Sequence, residues 1–207
     1  MHKNHQISAT VLLRNHQVIL NGKVIFEVAK DLELSVFLKA CYQDLEIDYA
    51  KFYKMDLLSK LGFIASEYLA KDQKLNSETA LILQNSAGSL ETDLNYQTSI
   101  SNENAFSSPS VFVYTLPNIV SGELSIRHQL QTENAFFISE KFDASFLIVY
   151  LQNLFSTNKA NAAICGWLDL DKEGYNVFLS LITQDEKGNA LTAENLKENY
   201  EQFKTRA

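Results

Sequence analysis

A chain of 207 residues is long enough to fold around its own hydrophobic core without disulfides or metal ions. Its two cysteines, Cys41 and Cys165, form no CxxC pair and have no His-rich neighbourhood, so neither a disulfide framework nor a zinc site is indicated. The net charge of −7 comes without any cluster of lysine or arginine. The longest apolar run, 144–151, is too short to cross a bilayer. Composition therefore predicts a cytoplasmic protein with no nucleic-acid partner, no membrane partner, no metal and no cofactor.

The chain opens with short β-branched runs that are separated by turn pairs. The turn pairs Asn15-His16 and Asn21-Gly22 divide the segment between Ala9 and Val28 into three such runs, and the Asn-Gly pair predicts a β-hairpin. Further on, apolar residues recur every three or four positions between Met55 and Lys71. This spacing predicts an amphipathic helix.

The middle of the chain alternates between strand and helix signals. Thr79–Leu83 has the length of a buried strand and stops at the polar loop 85–89. Residues 91–110 show no period, which predicts a long surface loop that contains at most one short helix. Pro117 can open a helix in which Gly122 is unfavourable by about 1 kcal/mol relative to alanine, so a close packing partner is expected at that glycine.

The last third reads as one strand, one strongly apolar helix and two further strands. Ala135–Ile138 is a short strand, and the following helix, 142–155, is apolar nearly all round, so it is expected to be central and covered on every side. Strands are predicted at 162–168 and 175–183, and a surface helix near the end. Because no repeat or linker divides the chain, residues 1–207 are expected to form one domain.

Four segments in chain order resemble the β-ketoacyl synthases of the thiolase-like superfamily. They are similar to that family's Arg-Met-Asp helix, its V-x-G-S-G-x-G strand and loop, its M-P-N-x-x-A-G-x-V-S-I helix, and its Gly-Pro-Asn and G-G-x-E strand ends. In this chain they are Lys54–Leu61, Thr79–Gly88, Leu116–Ile126, and Glu133-Asn134 together with Cys165–Asp169. The resemblance covers roughly 52–170 and implies the amino-terminal half of that family. The implied fold is α/β: a single thiolase-like half with a mixed, mostly parallel sheet packed by helices around a buried central helix.

The chain differs from the family at the positions that carry the family's catalytic residues. The family places a nucleophilic cysteine a few residues after the Asn, where a helix dipole lowers the thiol pKa and backbone N–H groups hold an oxyanion. Seven residues after Asn134 stands Lys141. The two catalytic histidines of the family's carboxy-terminal half have no counterpart here, and His128 is the only histidine beyond the first few dozen residues. Claisen condensation by the family's mechanism is therefore not expected.

Four residues remain as candidates for a site, each with a structural alternative. Lys141 at a helix amino terminus is either a nucleophilic amine, since the dipole opposes its charge, or a lysine whose stem bends to solvent. Glu140 and Asp143 either serve that amine or cap the helix. His128 is an isolated imidazole that more simply faces solvent or is capped. The loop 85–88 lacks the glycines of a phosphate loop and is interpreted as a turn.

Three functions follow from these alternatives. The first is a ketosynthase-like protein without the catalytic cysteine, a non-catalytic partner in bacterial fatty-acid or pigment-type polyketide biosynthesis. The second is an enzyme of altered acyl chemistry that uses Lys141, and the third is a simple acyl-binding module.

The strand 135–138 also predicts an assembly. Its adjacent phenylalanines point to opposite faces, and an open apolar edge needs cover. We therefore expect a homodimer, or a heterodimer with a complete ketosynthase, joined through this strand and the Pro117 helix. The alternative is a monomer in which segment 91–110 covers the edge. Docking of an acyl carrier protein is expected to be weak, because carrier proteins are acidic and this chain has no visible basic patch.

Overall fold

The computed structural model describes residues 4–71, 73, 75–101, 108–184 and 188–202. Within them the chain forms strands, α-helices and one 3₁₀ helix at Ala50–Lys54. The strands are β1 (Gln6–Arg14), β2 (Gln17–Leu20), β3 (Lys23–Glu27), β4 (Thr79–Asn85), β5 (Asn134–Ile138), β6 (Ala162–Asp171), β7 (Gly174–Thr183) and β8 (Asn189–Ala190). The helices are α1 (Leu34–Asp44), α2 (Leu57–Ala70), α3 (Leu90–Ile100), α4 (Pro109–Val113), α5 (Ile119–His128), α6 (Ala144–Ser156) and α7 (Ala193–Glu201).

The predicted Asn21-Gly22 hairpin is confirmed, and the predicted turn Asn15-His16 also forms a hairpin. Asn15-His16 joins β1 to β2 and Asn21-Gly22 joins β2 to β3, and all four turn residues have positive φ values, of 50°, 59°, 49° and 75°. A two-residue turn with both φ values positive matches the right-handed twist of the strands it connects.

The strands form one mixed sheet in the order β3-β2-β1-β7-β6-β4-β5, with β8 paired to β1. The sheet is mixed, as expected, but it is not mostly parallel. Among the described residues, β4 pairs in parallel with β5 and β6, and the other five pairings are antiparallel. The reason is local, because two-residue turns connect β1, β2 and β3, and likewise β6 and β7. Such short connections permit only antiparallel neighbours.

The sheet separates two apolar clusters. One face packs against α1, α2 and α5, and the other against α6 and α7. The buried central helix is α2, in which Gly62 allows close contact: a Cβ there would lie 2.7 Å from Val120 Cγ2. The expectation that 142–155 is the central, fully covered helix was wrong, since Val149 of α6 is 67% exposed. An apolar helix surface predicts that the surface is covered, but it does not tell whether the cover comes from the same chain or from another one.

Leu147 tests the packing of α6 on the sheet. Its side chain is fully buried in the second cluster, so Leu147→Ala is expected to lower the free energy of unfolding by about 2–5 kcal/mol through lost contacts and a cavity. Val149→Ala, two residues along the same helix but exposed, should change it by no more than about 0.5 kcal/mol. Urea denaturation of both variants measures the difference, and equal effects would contradict this packing.

The stretch 91–110 contains more helix than the one short helix allowed for it, namely most of α3 and the start of α4. The first turn of α3 carries Glu91 and Asp93, as the helix dipole favours. Residues 102–107 of that stretch lie outside the described part of the chain.

The expectation of a close packing partner at Gly122 was wrong for the described residues, because a Cβ there would meet none of their atoms within 4 Å.

Candidate functional site

The predicted nucleophile position lies in the loop that connects β5 to the amino end of α6. Asp143 caps that helix, since its Oδ1 accepts the Phe146 N–H at 2.9 Å. Its own N–H donates to Oε1 of the buried Gln84 at 3.0 Å. The Ser139 N–H donates to the Asn85 carbonyl at 2.8 Å. The loop is therefore fixed to β4, and Asp143 has the structural role of a cap.

Lys141 and Glu140 are both exposed on this loop. The described contact of Lys141 is through its backbone, where its carbonyl accepts the Ser139 hydroxyl at 2.5 Å. Among the described residues, no carboxylate lies within ion-pairing distance of its amine. The geometry therefore matches a lysine that extends into solvent. It does not match an amine that is held in place by buried polar neighbours.

Phe142 is the residue of this loop that sequence reasoning did not single out. Its ring packs edge-on against Trp167 and Phe178, with centroids 6.4 and 5.5 Å away, and lies 4.4 Å from the ring of Tyr200 in α7. These rings fill the space between the loop and the sheet. The five described cavities, of about 260 to about 960 Å³, are lined by residues outside 139–143.

His128 is not brought to this loop. It ends α5, before β5, whereas Lys141 follows β5, so a strand of five residues, roughly 16 Å long, separates them. Its Nε2 lies 2.9 Å from Ser66 Oγ. Because the Ser66 hydroxyl donates to the Phe63 carbonyl, the imidazole is the donor in that contact. The side chain of His128 is thus mostly buried and hydrogen-bonded to Ser66, so that of the two alternatives it does not face solvent.

His128 gives the chain a predicted pH dependence. Burial lowers its pKa below the ordinary value of about 6.5, the Arg127 charge acts in the same direction, and Glu67, 3.7 Å away, opposes both. Protonation therefore favours the unfolded chain. The stability that neutral His128 contributes is present above about pH 6.5 and is lost as the pH falls through the lower folded value.

We expect the free energy of unfolding to fall less in His128→Gln than in the natural chain when the pH is lowered from 7.5 to 5.5. Urea denaturation at both values measures this. His5, whose pKa burial also lowers, is present in both proteins and cancels in the comparison. Parallel pH profiles would contradict the assignment.

The second candidate site is the outer edge of β5, which is an edge strand of the sheet. Among the described residues this strand pairs only with β4, and its sequence, Asn134–Ile138, carries no charge or proline. The opposite edge strand, β3, carries Lys23 and Glu27 at its ends, and such charges oppose unwanted pairing. The β5 edge lacks that protection.

Exposed apolar side chains occur on β5 itself and on α5 and α6, which pack on opposite faces of the sheet. Ile138 of β5, Phe146 and Val149 of α6, and Ile126 of α5 are all exposed, Ile126 at 64%. Phe146 touches Phe137 of β5, with ring centroids 4.8 Å apart. We refer to Ile126, Ile138, Phe146 and Val149, with the free edge itself, as the β5 surface. Apolar patches of this kind mark interaction sites.

No metal-like group of three His, Cys, Asp or Glu side chains occurs in the described part of the chain. Nor does any helix in those ranges combine the length and apolar character needed to cross a membrane.

Comparisons with family models and with curated protein sequences each found no match. Solved structures do match. One, described as "The ishigamide ketosynthase/chain length factor", superposes with a TM-score of 0.61 at 15% identity, over 90% of this chain and 64% of that one. Another, from Xenorhabdus doucetiae, is a ketosynthase (ApeO) in complex with its chain length factor (ApeC), with a TM-score of 0.57 at 12% identity, over 95% of this chain and 90% of that one.

A third match is a type II polyketide synthase acyl-carrier protein in complex with its ketosynthase (AntDE:AntF), with a TM-score of 0.53 at 14% identity. It covers 88% of this chain and 62% of that one. The chain thus spans less than two thirds of the first and third structures but most of the second. These matches show the fold alone: it is an α/β fold similar to those of ketosynthase and chain length factor structures, as the sequence predicted.

Proposed function

We propose that this chain is a non-catalytic ketosynthase-like subunit that pairs with a complete ketosynthase through its β5 surface in polyketide biosynthesis. The observation that carries the proposal is the unprotected β5 edge with exposed apolar side chains on both sides of it. An edge of this kind is covered in a soluble protein, and the solved structures of the same fold include ketosynthases in complex with chain length factors.

The lack of catalysis rests on the loop 139–143. It presents Lys141 to solvent where the resembled family has its cysteine, and Phe142 fills the adjoining space with an aromatic cluster. An acyl chain would need a cavity beside the nucleophile. These features count against the two alternative functions, an enzyme that uses Lys141 and an acyl-binding module. The experiment described below distinguishes both from the proposed function.

A ketosynthase is favoured as the partner over a second copy because the structures of similar fold include ketosynthase complexes. An acyl carrier protein is expected to dock on that ketosynthase instead of on this acidic chain, whose net charge of −7 would repel it. In the complex this chain would then have a structural role. It would complete the assembly to which the carrier protein delivers its acyl group.

Co-expression with a ketosynthase encoded beside it in the native genome tests the proposal. We expect the two chains to co-purify in equal amounts and to stay together on gel filtration at physiological salt. A chain that purifies alone as a monomer, or only as a homodimer, would overturn it. Incubating the chain with an acylated carrier protein should give no mass shift, whereas an acyl adduct on Lys141 would establish the second function.

A further inference from the structure

A carboxylate outside the candidate loop holds the backbone that supports the β5 surface. Asp169, near the end of β6, accepts the Ser86 N–H at 2.9 Å, the Ser86 hydroxyl at 2.8 Å and the Ala87 N–H at 3.3 Å. Hydrogen bonds to an ionised acceptor are stronger than neutral ones. The loop that follows β4, which the sequence suggested was a plain turn, is therefore fixed to β6 by a single side chain.

The same loop is connected to the end of β5. The buried Asn85 bonds to Gly88 twice, accepting its N–H at 3.0 Å and donating to its carbonyl at 2.8 Å. The Asn85 carbonyl accepts the N–H of Ser139, the residue after β5, at 2.8 Å. Any shift of the loop is thus passed to the last residues of that strand.

Gly88 lies between two parts of the proposed interface. It has a φ of +60°, and a Cβ at this position would lie 3.7 Å from Pro117 Cγ and 3.8 Å from Ile138 Cδ1. Pro117 directly precedes α5, and Ile138 belongs to the β5 surface. The loop backbone therefore supports the exposed end of β5 and the start of α5 together.

From these contacts we infer that Asp169 is a positioning residue for the ketosynthase partner: through the loop 86–88 it fixes Ile138 and the start of α5 in the arrangement that the partner binds. This inference rests on the proposed function. Asp169 itself touches no residue of the β5 surface in the described contacts, so its effect on binding is indirect.

Asp169→Ala removes the acceptor for all three donors and is expected to weaken the complex with the ketosynthase by about tenfold or more, measured by isothermal titration calorimetry at a temperature at which every variant is folded. Asp169→Asn should keep the dissociation constant within about threefold of the natural chain. Its Oδ1 can still accept the two N–H groups, and its amide can donate to Ser86 Oγ.

Asp171→Ala is the matched control. Asp171 also accepts backbone N–H groups, from Glu173 at 2.7 Å and Gly174 at 3.1 Å, but at the turn from β6 to β7, away from β5. It should lower stability with no change in affinity. If Asp169→Ala fails to fold, Ser86→Ala, which removes one of the three donors, should still weaken binding measurably.

Equal affinities for the natural chain and Asp169→Ala would overturn the inference while leaving the proposed function standing. No binding by the natural chain would overturn the proposed function itself. Loss of affinity in the Asp171 control as large as in Asp169→Ala would mean that general destabilisation, and not positioning, is measured.

Discussion

Replacing Gly166 with alanine is expected to lower the free energy of unfolding by at least about 3 kcal/mol. Gly166 lies in the middle of β6 with a φ of +159°, and a Cβ there would be 1.9 Å from the carbonyl oxygen of Phe178 in β7. This carbonyl belongs to the backbone of the neighbouring strand, and Gly166 itself is paired in register with Leu179 of β7 and Leu83 of β4. Relief would require breaking the ladder between central strands.

Urea denaturation of Gly166→Ala measures this cost, and Gly122→Ala is the control. Gly122 has open space around it in a helix, so alanine there should raise the free energy of unfolding by up to about 1 kcal/mol. A Gly166 variant as stable as the natural chain would mean that β6 and β7 are not packed as described.

Elements defined by local signals were predicted well from the sequence. The Asn21-Gly22 hairpin needs only two residues that tolerate positive φ values between β-branched runs, and the helix predicted for 55–71 needs only its spacing. Both are properties of consecutive residues. The buried strand predicted at Thr79–Leu83 likewise corresponds to β4.

Elements whose environment depends on distant chain segments were predicted less well. The apolar pattern of α6 does not tell whether its outer residues, such as Val149, are covered by the same chain or by another one. The predicted amphipathic helix became the fully surrounded α2 because α1, α5 and the sheet all pack on it. Tertiary packing, and not periodicity, decides how much of a helix is buried.

The candidate loop was located by the sequence but its chemistry was not. Counting from Asn134 placed Lys141 in the loop after β5, yet the packing of Phe142 depends on Tyr200 of α7, 58 residues later. The contact of Asp169 with Ser86 spans 83 positions. No pattern in the sequence links such residues, because a single aspartate forms neither a periodic pattern nor a motif with its neighbours.

The largest functional effect is expected on the face of α5 that we propose binds the partner. On one side of this helix, at helical spacing, lie Ile119, Gly122 and Ile126. Gly122 is exposed between the other two, and a Cβ there would meet no atom of the described residues within 4 Å. A glycine that costs helix stability without an internal reason is explained if a partner helix or strand approaches the backbone there. The lack of a side chain at Gly122 would then allow the partner to pack closely against α5.

Gly122→Leu is therefore expected to leave the fold intact and to weaken the complex with the ketosynthase by about 10- to 100-fold, the equivalent of the 1–3 kcal/mol that overpacking costs. Lys197→Leu adds the same side chain to an exposed position of α7, a helix packed on the β1 side of the sheet, and should leave affinity unchanged. Calorimetric titration gives both dissociation constants, and circular dichroism checks the fold. Tight binding by Gly122→Leu would place the partner elsewhere. A homodimer of the chain alone that Gly122→Leu dissociates would keep the surface but make its occupant a second copy.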